Sequence, residues 1–123
     1  MKLIFEIELT LINVPRKNLY TIGRMPSSGP MPGNDLVLPI DDERISRYQC
    51  YIRSEKEQYF LYDGCPNDPA YGELSGKPSA FGTSVNGKLI TTIEGIPLKT
   101  GDYIELLAKC ANGLKYKLRV ILD

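Results

Sequence analysis

The stretch GRMPSSGPMPGNDLVLPIDDERISRYQC, residues 23–50, closes one apolar run on a Gly-Arg pair and opens the next on a Ser-Arg pair. Between the pairs lies a Pro/Gly/Ser-rich connection with only one short apolar run, Leu36 to Leu38. A helix needs a sustained period of 3.6, and this stretch has none. It reads instead as the end of one strand, a long loop, a short strand and the start of another. Arginine and serine side chains at both ends of such a loop are suited to a shared anion. A guanidinium offers a fork of donors to phosphate or carboxylate, and a hydroxyl adds one more.

Working outward, period two dominates. Leu3, Phe5, Ile7, Leu9 and Leu11 face one way in a first strand, with Glu6 and Glu8 opposite. At the other end Leu114, Tyr116, Leu118, Val120 and Leu122 alternate with Lys115, Lys117 and Arg119. Between them NLYTIGR, DLVLP, YQCYIRS, QYFLYDG, GTSVNGKLI and DYIELLAKC are β-branched or aromatic and bounded by turn residues. Asn86-Gly87 and Asn112-Gly113 suit two-residue hairpins, which require positive φ at both positions. Thr100-Gly101-Asp102 forms a further turn. Roughly ten short strands and no helix at this spacing predict an all-β sandwich. Two connections, 25–35 and 65–80, exceed what a hairpin needs, and long connections in compact domains are usually functional or disordered.

Composition narrows the function. The chain of 123 residues predicts one domain, 1–123. Fifteen basic and fifteen acidic residues cancel, so an anion site must be local, and a general nucleic-acid or anionic-membrane surface is disfavoured. There is no histidine, which removes the commonest general base and metal ligand. Cys50, Cys65 and Cys110 have no metal-binding spacing and read as free thiols in a reducing compartment. The acidic run Asp41-Asp42-Glu43 reads as solvated surface, because adjacent carboxylates on extended chain do not converge on one ion. The expectation is a non-enzyme with no cofactor and no metal. Glu6 and Glu8 break the first apolar run, arguing against a signal peptide and for a cytoplasmic protein.

YTIGR, NDLVLP, ISRYQCYI, YFLYDG, GTSVNGKLI and LKTGDYIEL follow in an order that resembles the forkhead-associated (FHA) domain, over about residues 20–106. The resemblance implies an FHA/SMAD-like twisted antiparallel β-sandwich of about eleven strands. It further implies a signalling module that binds a threonine-phosphorylated partner through loops at one end, with a Ser/Thr kinase upstream. Carried onto matching positions, Arg24 and Ser46 would hold the phosphate with Arg47 in support, while Gly23, Gln49, Asn86 and Gly87 support the site. Gln49 stands where the family has a bracing histidine. In SAFGTSVNG, Phe81 stands where the family has an asparagine on the peptide main chain. Ala80, Phe81 and Ser79 are then the candidate peptide contacts. Those departures leave a second reading open: a phosphate-independent interaction or self-association scaffold, with Phe81 as an aromatic anchor.

Overall fold

A computed structural model describes residues 2–15, 17–26, 31–110 and 116–123 of the chain. Two sheets pack face to face. The first has six strands, β1 (Leu3–Ile7), β2 (Thr10–Val14), β7 (Thr83–Val85), β8 (Lys88–Leu89), β10 (Tyr103–Leu106) and β11 (Tyr116–Leu122), in the order β2-β1-β11-β10-β7-β8. The second has five: β3 (Leu19–Gly23), β4 (Leu36–Val37), β5 (Cys50–Glu55), β6 (Gln58–Asp63) and β9 (Ile96–Pro97), in the order β4-β3-β5-β6-β9. Neighbours are antiparallel except β3 and β4, which run parallel with Ile22 opposite Leu36. The all-β sandwich of eleven strands agrees with the sequence reading.

The alternation explains the core. Leu3, Phe5 and Ile7 of β1 meet Ile22, Ile52 and Leu61 of the other sheet and Ile104, Leu106, Leu118 and Val120 of their own in one buried cluster. The last strand follows its pattern, with Leu118 and Val120 buried and Lys117 and Arg119 outside; Leu114, Lys115 and the Asn112-Gly113 turn lie outside the described residues.

The first run departs from its reading. It is a hairpin, not one strand: Glu8 turns the chain at φ 52°, and Ile7 pairs with Thr10. A two-residue turn reverses the parity of the faces. Leu9 and Leu11 are therefore exposed, at 102% and 58%, while Val14 is buried. The Asn86-Gly87 turn has φ of 51° and 85°, as a hairpin of this kind requires. The 65–80 connection contains short 3₁₀ turns over Pro69–Leu74, kinked at Gly72 (φ 57°), that the apolar period did not signal. Asp68 precedes them and accepts from the Ala70 amide at 2.8 Å, and Pro69 opens them, where a missing amide costs nothing.

Candidate functional site

Three connections meet at one end of the sandwich: the described residues of 24–35 after β3, 38–49 before β5, and 64–82 before β7. Gly23 allows the first two to touch. A Cβ there would sit 2.2 Å from the Arg47 carbonyl oxygen and 2.8 Å from Asn34 Nδ2, closer than any side chain tolerates. With glycine in place, the amides of Arg24 and Met25 donate to the carbonyls of Ser46 and Arg47 at 3.2 and 3.3 Å. Asn34, almost fully buried, clamps the junction by donating Nδ2 to Met25 O at 3.0 Å and to Arg47 O at 2.6 Å.

Gln49 ties the second connection to the third. It is completely buried. Its Oε1 accepts from the Ser46 amide at 3.0 Å, and its Nε2 donates to Gly82 O at 3.1 Å and to Thr83 Oγ1 at 3.0 Å. Thr83 Oγ1 in turn donates to Asp63 Oδ1 at 2.7 Å. The same buried carboxylate accepts from the Ser79 amide at 3.0 Å and from its hydroxyl at 2.6 Å. A chain of polar groups this deep is stable only when each member is paired, and here each is.

Ser79 is accordingly an internal strut. It is 4% exposed, its hydroxyl proton is committed to Asp63, and it does not line the cavity, which corrects its candidacy as a peptide contact. Asn86 and Gly87 also lie away from the cavity. Asn86 instead fastens the β7–β8 turn, donating to Asp102 at 2.9 Å and accepting from the Tyr103 amide at 2.9 Å.

Above the braces lies a cavity of about 310 Å³. Arg24, Ser46, Arg47, Ala80 and Phe81 all border it, although they come from three separate parts of the chain. Arg24 is exposed, but its Nε donates to the Ile45 carbonyl at 2.9 Å, which fixes the plane of the guanidinium. The terminal nitrogens have no partner among the described residues. Ser46 Oγ accepts from the Ala80 amide at 2.8 Å, so its own proton remains to donate. Phe81 is 38% exposed at the rim, and its carbonyl accepts from the Lys109 amide at 2.8 Å.

The cavity also has members that sequence spacing did not single out. Lys77 and Pro78 form part of its wall, and Tyr48, Cys65 and Leu74 line it from a small second core under the loops. Tyr48 and Tyr71 meet edge to face at 5.0 Å there, and the Tyr48 hydroxyl donates to Pro32 O. Burial pushes the Cys65 thiol up to about 11, so it stays protonated and unreactive at neutral pH. Nothing in a single sequence marks these residues, because only the folded loops bring them to Ser46.

The acidic run divides. Asp42 is not loose surface charge: its carboxylate accepts from Arg44 Nη2 at 2.6 Å, Arg44 Nε at 3.0 Å and the Tyr116 hydroxyl at 2.8 Å. Hydrogen bonds from Arg44, chiefly its side chain, hold the Asp42 carboxyl well below its ordinary value of 3.8. Arg44 is thereby neutralised, whereas Arg24, Arg47 and Lys77 have no ion-pair partner among the described residues. Among the described residues Glu43 is the only carboxylate that lines the cavity. Among the described residues no group of three or more His, Cys, Asp or Glu side chains is placed to hold a metal ion, and no helix is long and apolar enough to cross a membrane.

This geometry can be set beside known proteins. No curated protein matches the chain. Among solved structures, the MEK1 FHA domain in complex with a HOP1 phosphothreonine peptide is 21% identical with a TM-score of 0.65, covering 98% of this chain and 96% of that one. The FHA1 domain of yeast Rad53 is 15% identical with a TM-score of 0.71, covering 99% of this chain and 77% of that one. The FhaA FHA domain, complexed with the intracellular domain of Rv3910, is 20% identical with a TM-score of 0.63, covering 97% and 99%. At such identities the likeness concerns the fold. The family model for the FHA domain matches residues 20–107, well over half of the chain, and on that match the protein belongs to the FHA family.

Proposed function

We propose that the chain is a binding module that reads phosphothreonine on a partner protein, with no catalysis, cofactor or nucleic acid involved. The observation that carries this reading is the fixed aim of two donors. Arg24 is held by Ile45 O and keeps its terminal nitrogens open, and Ser46 is held by the Ala80 amide and keeps its proton open. Both border one cavity with Arg47, which has no ion-pair partner among the described residues, in a protein whose fifteen basic and fifteen acidic residues balance overall. A phosphate dianion there receives charge-assisted hydrogen bonds from Arg24 and Ser46, with Arg47 adding charge. Because the donors are already oriented, little ordering entropy is lost on binding. Two FHA neighbours were solved with phosphothreonine peptides, which supports the same ligand here.

Threonine is preferred over serine because its methyl group meets apolar lining such as Tyr48 and Leu74. A buried methyl contributes on the order of 1 kcal/mol. Phe81 has no side-chain hydrogen-bonding group, so it and Ala80 contact the peptide by packing. The partner carries the product of a Ser/Thr kinase, and the encounter belongs to the cytoplasm.

Calorimetric titration with a degenerate phosphothreonine peptide pool tests the reading, with the unphosphorylated pool and Arg24→Ala as controls. Hydrogen bonds to charged groups contribute about 1.5–3 kcal/mol, so Arg24→Ala should weaken binding at least roughly ten-fold. Binding indifferent to the phosphate would instead favour the scaffold reading. That reading has one observation of its own, the exposed ring of Phe81 at the rim.

A further inference from the structure

The 64–82 connection is longer than joining β6 to β7 requires, and the phosphate reading uses only its last residues. Its backbone is pinned throughout. Ser75 Oγ accepts from the Asp68 amide at 2.8 Å, and the Gly76 amide donates to Pro66 O at 3.1 Å. The Cys65 amide donates to Lys77 O at 2.9 Å. A Cβ at Gly64 would lie 2.2 Å from that same Lys77 oxygen, so the two ends of the loop are in backbone contact. The loop thus fixes the base of Lys77 at the cavity wall while leaving its side chain exposed and without an ion-pair partner among the described residues.

The cavity has room beyond the phosphate. About 310 Å³ equals the volume of about ten waters at about 30 Å³ each, more than the five heavy atoms of a phosphate group fill. The lining also carries Leu74, Pro78 and Phe81, whose side chains offer no charge, and Lys77, whose side chain does. The segment that carries Ile45 and Ser46 contributes Glu43, Arg44 and Arg47.

We propose that Lys77 makes a second anion contact in this cavity, with a carboxylate of the partner that flanks the phosphothreonine; the inference rests on the phosphate reading above. An ammonium is a compact point charge with three rotatable donors, so it pairs with a carboxylate without needing a fixed plane. The preference is one-sided, because Lys77 occupies one point of the wall: an acidic residue helps on the flank that passes Lys77.

The test is an arrayed set of phosphothreonine peptides in an alanine host, with glutamate or lysine scanned through each flanking position. Affinities are measured for the wild type, Lys77→Ala, Lys77→Glu and Arg24→Ala. The wild type should gain about two- to five-fold from glutamate on one flank, the range of a partly exposed ion pair. Lys77→Ala should erase that gain, and Lys77→Glu should transfer it to lysine at the same position. A glutamate preference that survives both substitutions, or no preference at all, overturns the proposal while leaving phosphate reading intact. If no phosphopeptide binds the wild type, or if binding ignores Arg24→Ala, the phosphate reading fails and this proposal fails with it.

Discussion

Replacing Gln49 by leucine should separate the brace from the volume it fills. Leucine is apolar and close in size, so the loss is one of hydrogen bonds and not of packing. Three partners are affected. The Ser46 amide is half-buried and loses its only acceptor among the described residues, at a cost near 1 kcal/mol. Gly82 O keeps a longer bond from the Ala108 amide at 3.3 Å, so its loss is smaller, about 0.5–1 kcal/mol. Thr83 Oγ1 keeps its 2.7 Å bond to Asp63 and adds about 0.5 kcal/mol at most. The sum is about 2 kcal/mol. In a domain of this size that corresponds to a fall in Tm of roughly 8 °C. Urea denaturation of Gln49→Leu against wild type measures it directly, with an unchanged m-value showing that the native state is still compact. Gln49→His is the informative companion. A neutral imidazole offers one donor and one acceptor against the two donors and one acceptor used here, so it should retain about two-thirds of the brace. It should also lose stability as pH falls below about 6.5, since burial disfavours the imidazolium and the unfolded chain takes up the proton first. A change below about 0.5 kcal/mol in Gln49→Leu, the level of an ordinary surface substitution, would refute the claim that this amide joins the loops.

Other expectations follow from single contacts. Gly23→Ala puts a methyl 2.2 Å from Arg47 O, so the two loops must part; stability should fall by about 1–3 kcal/mol or more, and phosphopeptide affinity with it. Asp42 titrates below its ordinary value in the fold, so its contribution is complete above about pH 4 and lost as pH falls through the folded-state value. The deficit of Asp42→Asn in urea should therefore be full at pH 7 and shrink toward pH 3. Phosphopeptide affinity should fall in a one-proton step near pH 6, the second ionisation of the phosphate, because the chain has no histidine to add a step of its own. Calorimetry across pH 5–8 checks this, and a second step would contradict it.

Most of the sandwich was legible because period two needs only local information. Strands β6, β10 and β11 follow their apolar alternation, and Asn86-Gly87 marks its turn through backbone chemistry. The hairpin at Glu8 was not legible: no glycine, proline or asparagine marks it, and the odd-numbered apolar positions run straight through the turn. Strand β9 is only two residues, Ile96–Pro97, too short for any period, and exists because β6 offers it an edge. At the site, motif order located the Arg24, Ser46, Arg47, Ala80 and Phe81 positions. The same motifs contain Asn34, Asp63 and Thr83 without assigning them a role, and they omit Lys77; those roles depend on contacts formed only when three connections converge.

That convergence divides the site into two sets of polar groups with different consequences. Gln49, Asp63, Thr83 and Ser79 bond to one another or to loop backbone and are buried. Arg24, Ser46, Arg47 and Lys77 keep donors at the cavity. The inner set explains how a glutamine can serve where the family has a histidine. The position needs an acceptor for the Ser46 amide and donors toward β7, and a carboxamide supplies both without a titratable proton. It also explains why Phe81 need not disrupt the site. The residue is held by its carbonyl to Lys109, so its side chain is free to change without moving Ser46 or Arg24. Substitutions in the inner set should therefore lower stability and affinity together, whereas substitutions in the outer set should lower affinity alone. An outer-set variant that unfolds like an inner one would mean that the two sets are coupled and that the loops are not braced from beneath.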